Sequence, residues 1–176
     1  AVIKPDPAEV VETRLQQRHA RFHQQGTLYH ITTKTIAGQF LLVPTEKVRA
    51  ICAGVVGRAQ KVCSGIKLYA YAFLSNHFHL IVSGSSHVIS KFVGYIKREI
   101  SRRVGVVYKL PGPCWHRRFV STALPTPVSH EKALAYVVAQ GVKENLVARP
   151  QDWPGLHCAE SLLSGKPLQA MWFNAT

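Results

Sequence analysis

The chain has 176 residues, 47% of them hydrophobic, and 22 Lys and Arg against nine Asp and Glu, for a formal charge of +13. This supports one domain with its own core and excludes disorder as the main character. The excess charge points to a polyanion, nucleic acid first and an anionic membrane surface second.

Residues 8–25, AEVVETRLQQRHARFHQQ, read as a polar, basic helix stopped by Gly26, which sets off an N-terminal segment 1–26. From Thr27 the pattern turns to strand: TLYHITTKTI, a turn at Gly38, then QFLLV. Thr45 is placed to cap a helix through EKVRAICAGVVGRAQKVCSG. IKLYAYAFLSNHFHLIVSG follows as the most strand-like segment, broken near Ser75-Asn76 into the two arms of a hairpin. A second helix starts at Ser86 or His87 and ends at Gly105. After the LPGPC turn, WHRRFVSTAL reads as a short strand. A third helix, capped by Ser129, runs through HEKALAYVVAQGVKENLV, and RPQDWPGLHCAESLLSGKPL reads as a turn and a short helix. Strand, helix, paired strands, helix, strand, helix is the order of a split βαβ, ferredoxin-like α+β domain. In that plan two helices cover one sheet face, and a functional site lies on the other.

The residue types limit the chemistry. Asp6 and Asp152 are the two Asp, far apart, so a two-metal site built from three or four carboxylates is hard to assemble. Cys52, Cys63, Cys114 and Cys158 are scattered without a C-x-x-C pair, which argues against a zinc knuckle or a disulfide framework. No apolar run nears the roughly 20 residues of a membrane span, and AVIKPDPAEVVE lacks the plan of a signal peptide.

His77-Phe78-His79 falls within a predicted strand, where side chains alternate. Both imidazoles therefore point to one face, and Phe78, Leu80 and Val82 to the other. Two adjacent imidazoles are half of a divalent-metal site. Tyr136 and Gln140, four apart on the predicted third helix, share one of its faces. The stretch from Lys91 to Arg118 carries eight Lys and Arg and one acid, Glu99. Lys97, Arg98, Arg102 and Arg103 are spaced to track a phosphate backbone. Trp115, Arg117 and Arg118 combine an aromatic with cations, which suits stacking on an unpaired base, although Trp115 is equally suited to anchoring a core. Lys143 completes this candidate DNA-contacting set.

YAYAFLSNHFHLIVSG resembles the central signature of the single-tyrosine HUH transposases, in particular the REP-associated tyrosine transposases and their relatives. LYHITTKTIAGQFLL is similar to the family's opening strand pair, PGPCWHRRFVST to its Trp-x-x-Arg-Phe stretch, and AYVVAQGVKENLV to its tyrosine helix. RPQDWPGLHCAESLLSG resembles its terminal Trp-containing segment. These pieces span residues 27–165 in the family's order and leave 166–176 as a tail. The resemblance implies a metal-dependent endonuclease and strand transferase acting on single-stranded DNA, with hairpin or palindromic elements as targets. It implies Tyr136 as the nucleophile that forms a 5′-phosphotyrosine, and His77, His79 and Gln140 as ligands of Mg²⁺ or Mn²⁺. It further implies a monomer or homodimer in the bacterial cytoplasm, associated with the nucleoid. The chain departs from the family where many relatives have Asn-Pro and it has Gln140-Gly141, and where Leu74 and Ser75 replace frequent Met and Pro. Two rival readings are a non-catalytic RRM-like binding module, and a metal hydrolase of nucleotides that uses His77 and His79 but not Tyr136.

Overall fold

The computed structural model describes residues 23–24 and 26–172. The helix expected over 8–25 falls, apart from His23 and Gln24, outside them. The described elements are β1 (Leu28–Lys34), α1 (Glu46–Val62), β2 (Lys67–Phe73), β3 (His77–Ser83), α2 (Ser86–Tyr108), β4 (Val120–Leu124), α3 (Pro127–Val138), α4 (Gln140–Lys143) and α5 (Ala159–Ser164). Short 3₁₀ turns lie at Ile36–Gly38 and Pro150–Asp152.

The sheet order is β2-β3-β1-β4 with every neighbouring pair antiparallel, as the ferredoxin-like plan requires. Alternation along the central strands divides the side chains between two faces. Tyr29 and Ile31 of β1 and Phe78, Leu80 and Val82 of β3 join one core with α1 and α2. Val48, Cys52, Val55 and Ala59 line the buried stripe of α1, and Ile89, Phe92, Ile96 and Ile100 that of α2, at helical spacing. Thr45 and Ser85 cap these helices by accepting from the amides of Val48 and Val88.

The opposite face carries a smaller cluster in which Ala133 and Val137 of α3 rest on Ala70, Ala72, Ile81 and Leu124. The alanines of β2 leave room for α3 to approach the sheet closely. α3 thus lies against this face, in contact with β2, β3 and β4.

Four local expectations differ from the structure. QFLLV does not form a strand, because Leu41 and Leu42 are both buried while Leu42 donates its amide to Ser75 O at 2.8 Å. Two consecutive inward side chains break the period of a half-buried strand. The helix expected to end at Gly105 continues to Tyr108, since an internal glycine costs only about 1 kcal/mol. Lys109, in the left-handed region at φ 51°, terminates it. The third helix begins at Pro127, not after Ser129: Thr126 is the cap and Ser129 its reciprocal partner in a capping box. It also divides at Ala139 into α3 and α4. A Cβ at Gly141 would lie 3.0 Å from Val147 and 3.5 Å from Trp153, so glycine permits the following loop to fold against the helix end.

Residues 156–158 cover the outer edge of β2 through bonds from Phe73 N to Leu156 O and from Cys158 N to Tyr71 O, at 2.9 and 3.0 Å. Trp153 Nε1 donates to Phe73 O at 2.9 Å. Beyond α5 the chain crosses α1, where Met171 meets Gly54 and Trp172 joins the core rim, so the expected tail packs on the domain as far as Trp172.

Candidate active site

The antiparallel register of β1 and β3 places Lys34 opposite His77, Thr32 opposite His79 and His30 opposite Ile81, with all six side chains on the face away from α1 and α2. His30, His77 and His79 therefore converge on one patch of sheet. The rings of His77 and His79 are 4.9 Å apart edge to face, and those of His30 and His79 are stacked at 5.1 Å. Tyr136, near the end of α3, leans over this patch with its ring 5.6 Å from His79 and 5.8 Å from His30. It is 39% exposed, and no hydrogen bond to another described residue ties down its hydroxyl. The Lys143 ammonium lies 4.2 Å from the Tyr136 ring centre. The three histidines and Tyr136 line a cleft of about 800 Å³ that also reaches Gln140, Lys34, Lys132 and Glu144.

The hydrogen bonds orient the possible ligand atoms. His77 Nδ1 donates to Asn76 Oδ1 at 2.6 Å, which leaves a lone pair on its Nε2. His79 Nδ1 is 3.0 Å from His30 Nε2, so its Nε2 is likewise the outward nitrogen. Gln140 Nε2 donates back to Tyr136 O at 3.2 Å and turns Oε1 away from that bond. His79 Nε2 and Gln140 Oε1 are buried without a hydrogen-bond partner among the described residues. Such orphaned atoms cost stability unless something satisfies them. Among the described residues no three His, Cys, Asp or Glu side chains form a metal-ligand cluster, so a site here depends on the amide oxygen beside the two imidazoles. The donor set fits a divalent cation with open positions better than a closed structural zinc centre.

The electrostatics keep the imidazoles neutral, the form that ligates. Burial, then the positive potentials of His77, His30, Lys143 and Lys34, push His79 down to about 3. Burial and Lys34 lower His77 against the opposing influence of Glu144 and Gln140, and burial lowers His30. Unfolding frees His79 to bind a proton near the ordinary value of 6.5, which the folded state resists until about pH 3, and the lowered His77 and His30 act in the same direction. Their stabilisation is complete above that ordinary value and is lost as the pH falls below it, for His79 as far as about 3. Urea unfolding at pH 7.5 and pH 5 should show a drop on the order of a few kcal/mol. His79→Phe should remove a large part of that drop.

Of the residues singled out in the sequence, the structure brings together Tyr136, His77, His79, Gln140 and Lys143. It places the basic run of α2 on the other side of the sheet, because α2 packs against the Phe78 face. There Glu99, itself buried, gathers Arg102 at 2.8 Å, Arg98 at 3.5 Å and Arg103 at 3.7 Å. The Arg103 side chain is 11% exposed and its guanidinium lies 4.2 Å over the Trp172 ring, so it packs against the domain where a phosphate contact was expected. Trp115 meets Phe78 edge to face at 5.5 Å and donates Nε1 to Lys97 O at 2.8 Å, the core-anchor alternative. Lys97 donates to Arg117 O, while Arg98, Arg102, Arg117 and Arg118 remain exposed. His30, which no motif or spacing in the sequence singles out, is the chief residue missed. Its place at i, i+2, i+4 with Thr32 and Lys34 put it on the site face, but only the register of β1 with β3 brings it to His79.

No protein-family model matches the chain, and no curated protein sequence does. Solved structures do. A REP-associated tyrosine transposase bound to a REP hairpin superposes with a TM-score of 0.65 at 18% identity, covering 84% of this chain and 85% of that one. A Deinococcus radiodurans R1 chain described as a candidate transposase has a TM-score of 0.48 at 22% identity, over 74% of this chain and 98% of that one. The first likeness establishes the fold that the two share. Among the described residues no helix is long and apolar enough to cross a membrane.

Proposed function

We propose that this protein is a DNA-nicking and strand-transferring enzyme of the single-tyrosine HUH type, acting on single-stranded DNA within hairpin or palindromic elements. The observation that carries the reading is the convergence of Tyr136 with His77, His79 and the unpartnered Gln140 oxygen in one open cleft. The fold likeness to a transposase bound to a REP hairpin supports the choice of a structured single strand as substrate.

Tyr136 supplies the nucleophile. Its phenolic oxygen attacks phosphorus and the bond to the 3′-oxygen breaks, giving a 5′-phosphotyrosine and a free 3′-hydroxyl. The phenolic proton passes to water, and the departing oxygen takes one up. The covalent link keeps the phosphodiester energy for rejoining. Lys143, beside the ring, and Lys34 and Lys132, on the cleft walls, hold the phosphate backbone across the site. His77, His79 and Gln140 would hold Mg²⁺ or Mn²⁺. The ion, when bound, polarises the scissile phosphate and offsets its charge.

Single-stranded hairpin oligonucleotides labelled at each end, incubated with protein and Mg²⁺ or Mn²⁺, test the reading on a denaturing gel. The expected products are a 3′-hydroxyl fragment and a protein band shifted by attached DNA, both abolished by EDTA. Binding without either product would leave a nucleic-acid-binding module, and cleavage without a shifted band a hydrolase.

The placement of charge yields a further expectation. Lys143→Ala should weaken single-strand binding by roughly tenfold and lower the salt slope by about 0.7. Arg98→Ala, across the sheet, should change both by less. Fluorescence anisotropy from 50 to 300 mM salt measures the difference, and equal effects would place the strand on both faces.

A further inference from the structure

Three imidazoles meet on the site face, but they are not equivalent. His77 and His79 each turn Nε2 toward the cleft, whereas His30 directs its Nε2 at the back of His79, 3.0 Å from Nδ1. His30 thus stands to His79 as Asn76 stands to His77. The Asn76 partner is an amide oxygen, which only accepts, so the proton of His77 is on Nδ1. Between His30 and His79 the distance alone permits either nitrogen to donate, and the surroundings decide. If His30 donated, the proton of His79 would sit on Nε2, a buried N–H with no acceptor among the described residues. Gln140 Oε1, an acceptor in the same cleft and equally without a partner, makes no hydrogen bond with it. If His79 donates, two lone pairs face the cleft together, as a cation would require.

We propose that His30 is a positioning residue that accepts the Nδ1–H of His79, fixing the ring's tautomer and orientation so that Nε2 presents its lone pair beside His77 and Gln140. The inference rests on the divalent-cation reading given above. The support is rigid, since His30 is on a central strand, one diagonal step from His79 across the β1–β3 ladder. Its ring is nearly parallel to that of His79, the two meeting through their nitrogens, and edge-on to Tyr136, so one side chain braces both halves of the site. Partners behind a metal-bound histidine commonly set ligand affinity in this way.

The test pairs His30→Phe, which keeps a ring and removes the acceptor, with His30→Gln, whose amide oxygen can replace it. ¹⁵N–¹H NMR of the metal-free full-length chain reads the tautomer of His79 directly. The parent and His30→Gln should show the proton on Nδ1, and His30→Phe should lose that preference. Mn²⁺ titration by calorimetry should show affinity reduced about 10- to 100-fold in His30→Phe. His30→Gln should recover to within roughly threefold of the parent, a rescue that general misfolding of the site would not give. A proton on Nε2 of His79 in the parent overturns the proposal. So does a His30→Phe variant that keeps both the parental tautomer and the parental Mn²⁺ affinity. Absence of Mn²⁺ binding by the parent, or binding undiminished in His77→Ala, refutes the cation reading instead, and the tautomer measurement then decides the role of His30 alone.

Discussion

Tyr136→Phe is expected to bind single-stranded DNA as tightly as the parent and to form no covalent protein–DNA adduct. Phenylalanine keeps the ring that meets His79 and His30 edge-on and that Lys143 overlies, so packing is retained. Because the hydroxyl makes no hydrogen bond to a described residue, its removal should shift folding stability by no more than about 0.5 kcal/mol. What disappears is the attacking oxygen. Loss of a nucleophile typically costs factors on the order of 10³ or more, so adduct and 3′-hydroxyl product should both vanish from the gel. Tyr95→Phe is the internal control: Tyr95 is on α2 beneath Arg98 and near Trp172, across the sheet, and its variant should react as the parent does. Nicking by Tyr136→Phe at the parental rate would assign the attack to water.

The second large effect is expected from the sheet. His77→Ala or His79→Ala should abolish nicking while leaving single-strand affinity within a few-fold, because lysines provide most of the attraction to phosphate. The two variants separate in stability. His79 is 5% exposed and His77 more open, so His79→Ala leaves the larger void and should unfold at lower denaturant. Gln140→Ala should be milder in activity, since water can occupy its place, but not in stability, because Gln140 is 1% exposed. Retained nicking in either histidine variant would remove the paired imidazoles from the chemistry.

Much of this site is legible in the sequence because it rests on local periodicities. The two-residue spacing of His77 and His79 places them together on any strand, and the four-residue spacing of Tyr136 and Gln140 does nearly the same on a helix. That second inference survives even though the helix divides at Ala139, between them, because Ala139 is still close to helical at φ −83° and ψ 1°. The non-local parts are not legible. His30 joins His79 through a register set by two strands some fifty residues apart, which no spacing encodes. Arg103 has the look of a phosphate contact on a basic helix, and only the return of the chain at Trp172 makes it a buried partner. The charge and spacing of the basic run of α2 suit a phosphate backbone but say nothing of which sheet face it occupies. Its apolar stripe, Phe92, Ile96 and Ile100, turns α2 onto the face of the sheet away from the histidines.

The central claim is that Tyr136 becomes covalently joined to a 5′-phosphate. Its most direct test is mass spectrometry of the protein–DNA adduct, digested with nuclease and protease, to locate the residue that carries the nucleotide. The account predicts one modified peptide, containing Tyr136, whose added mass corresponds to a 5′-linked nucleotide. A nucleotide on Tyr95 or any other side chain, or cleaved DNA with a free 5′-phosphate and no modified peptide, would contradict it.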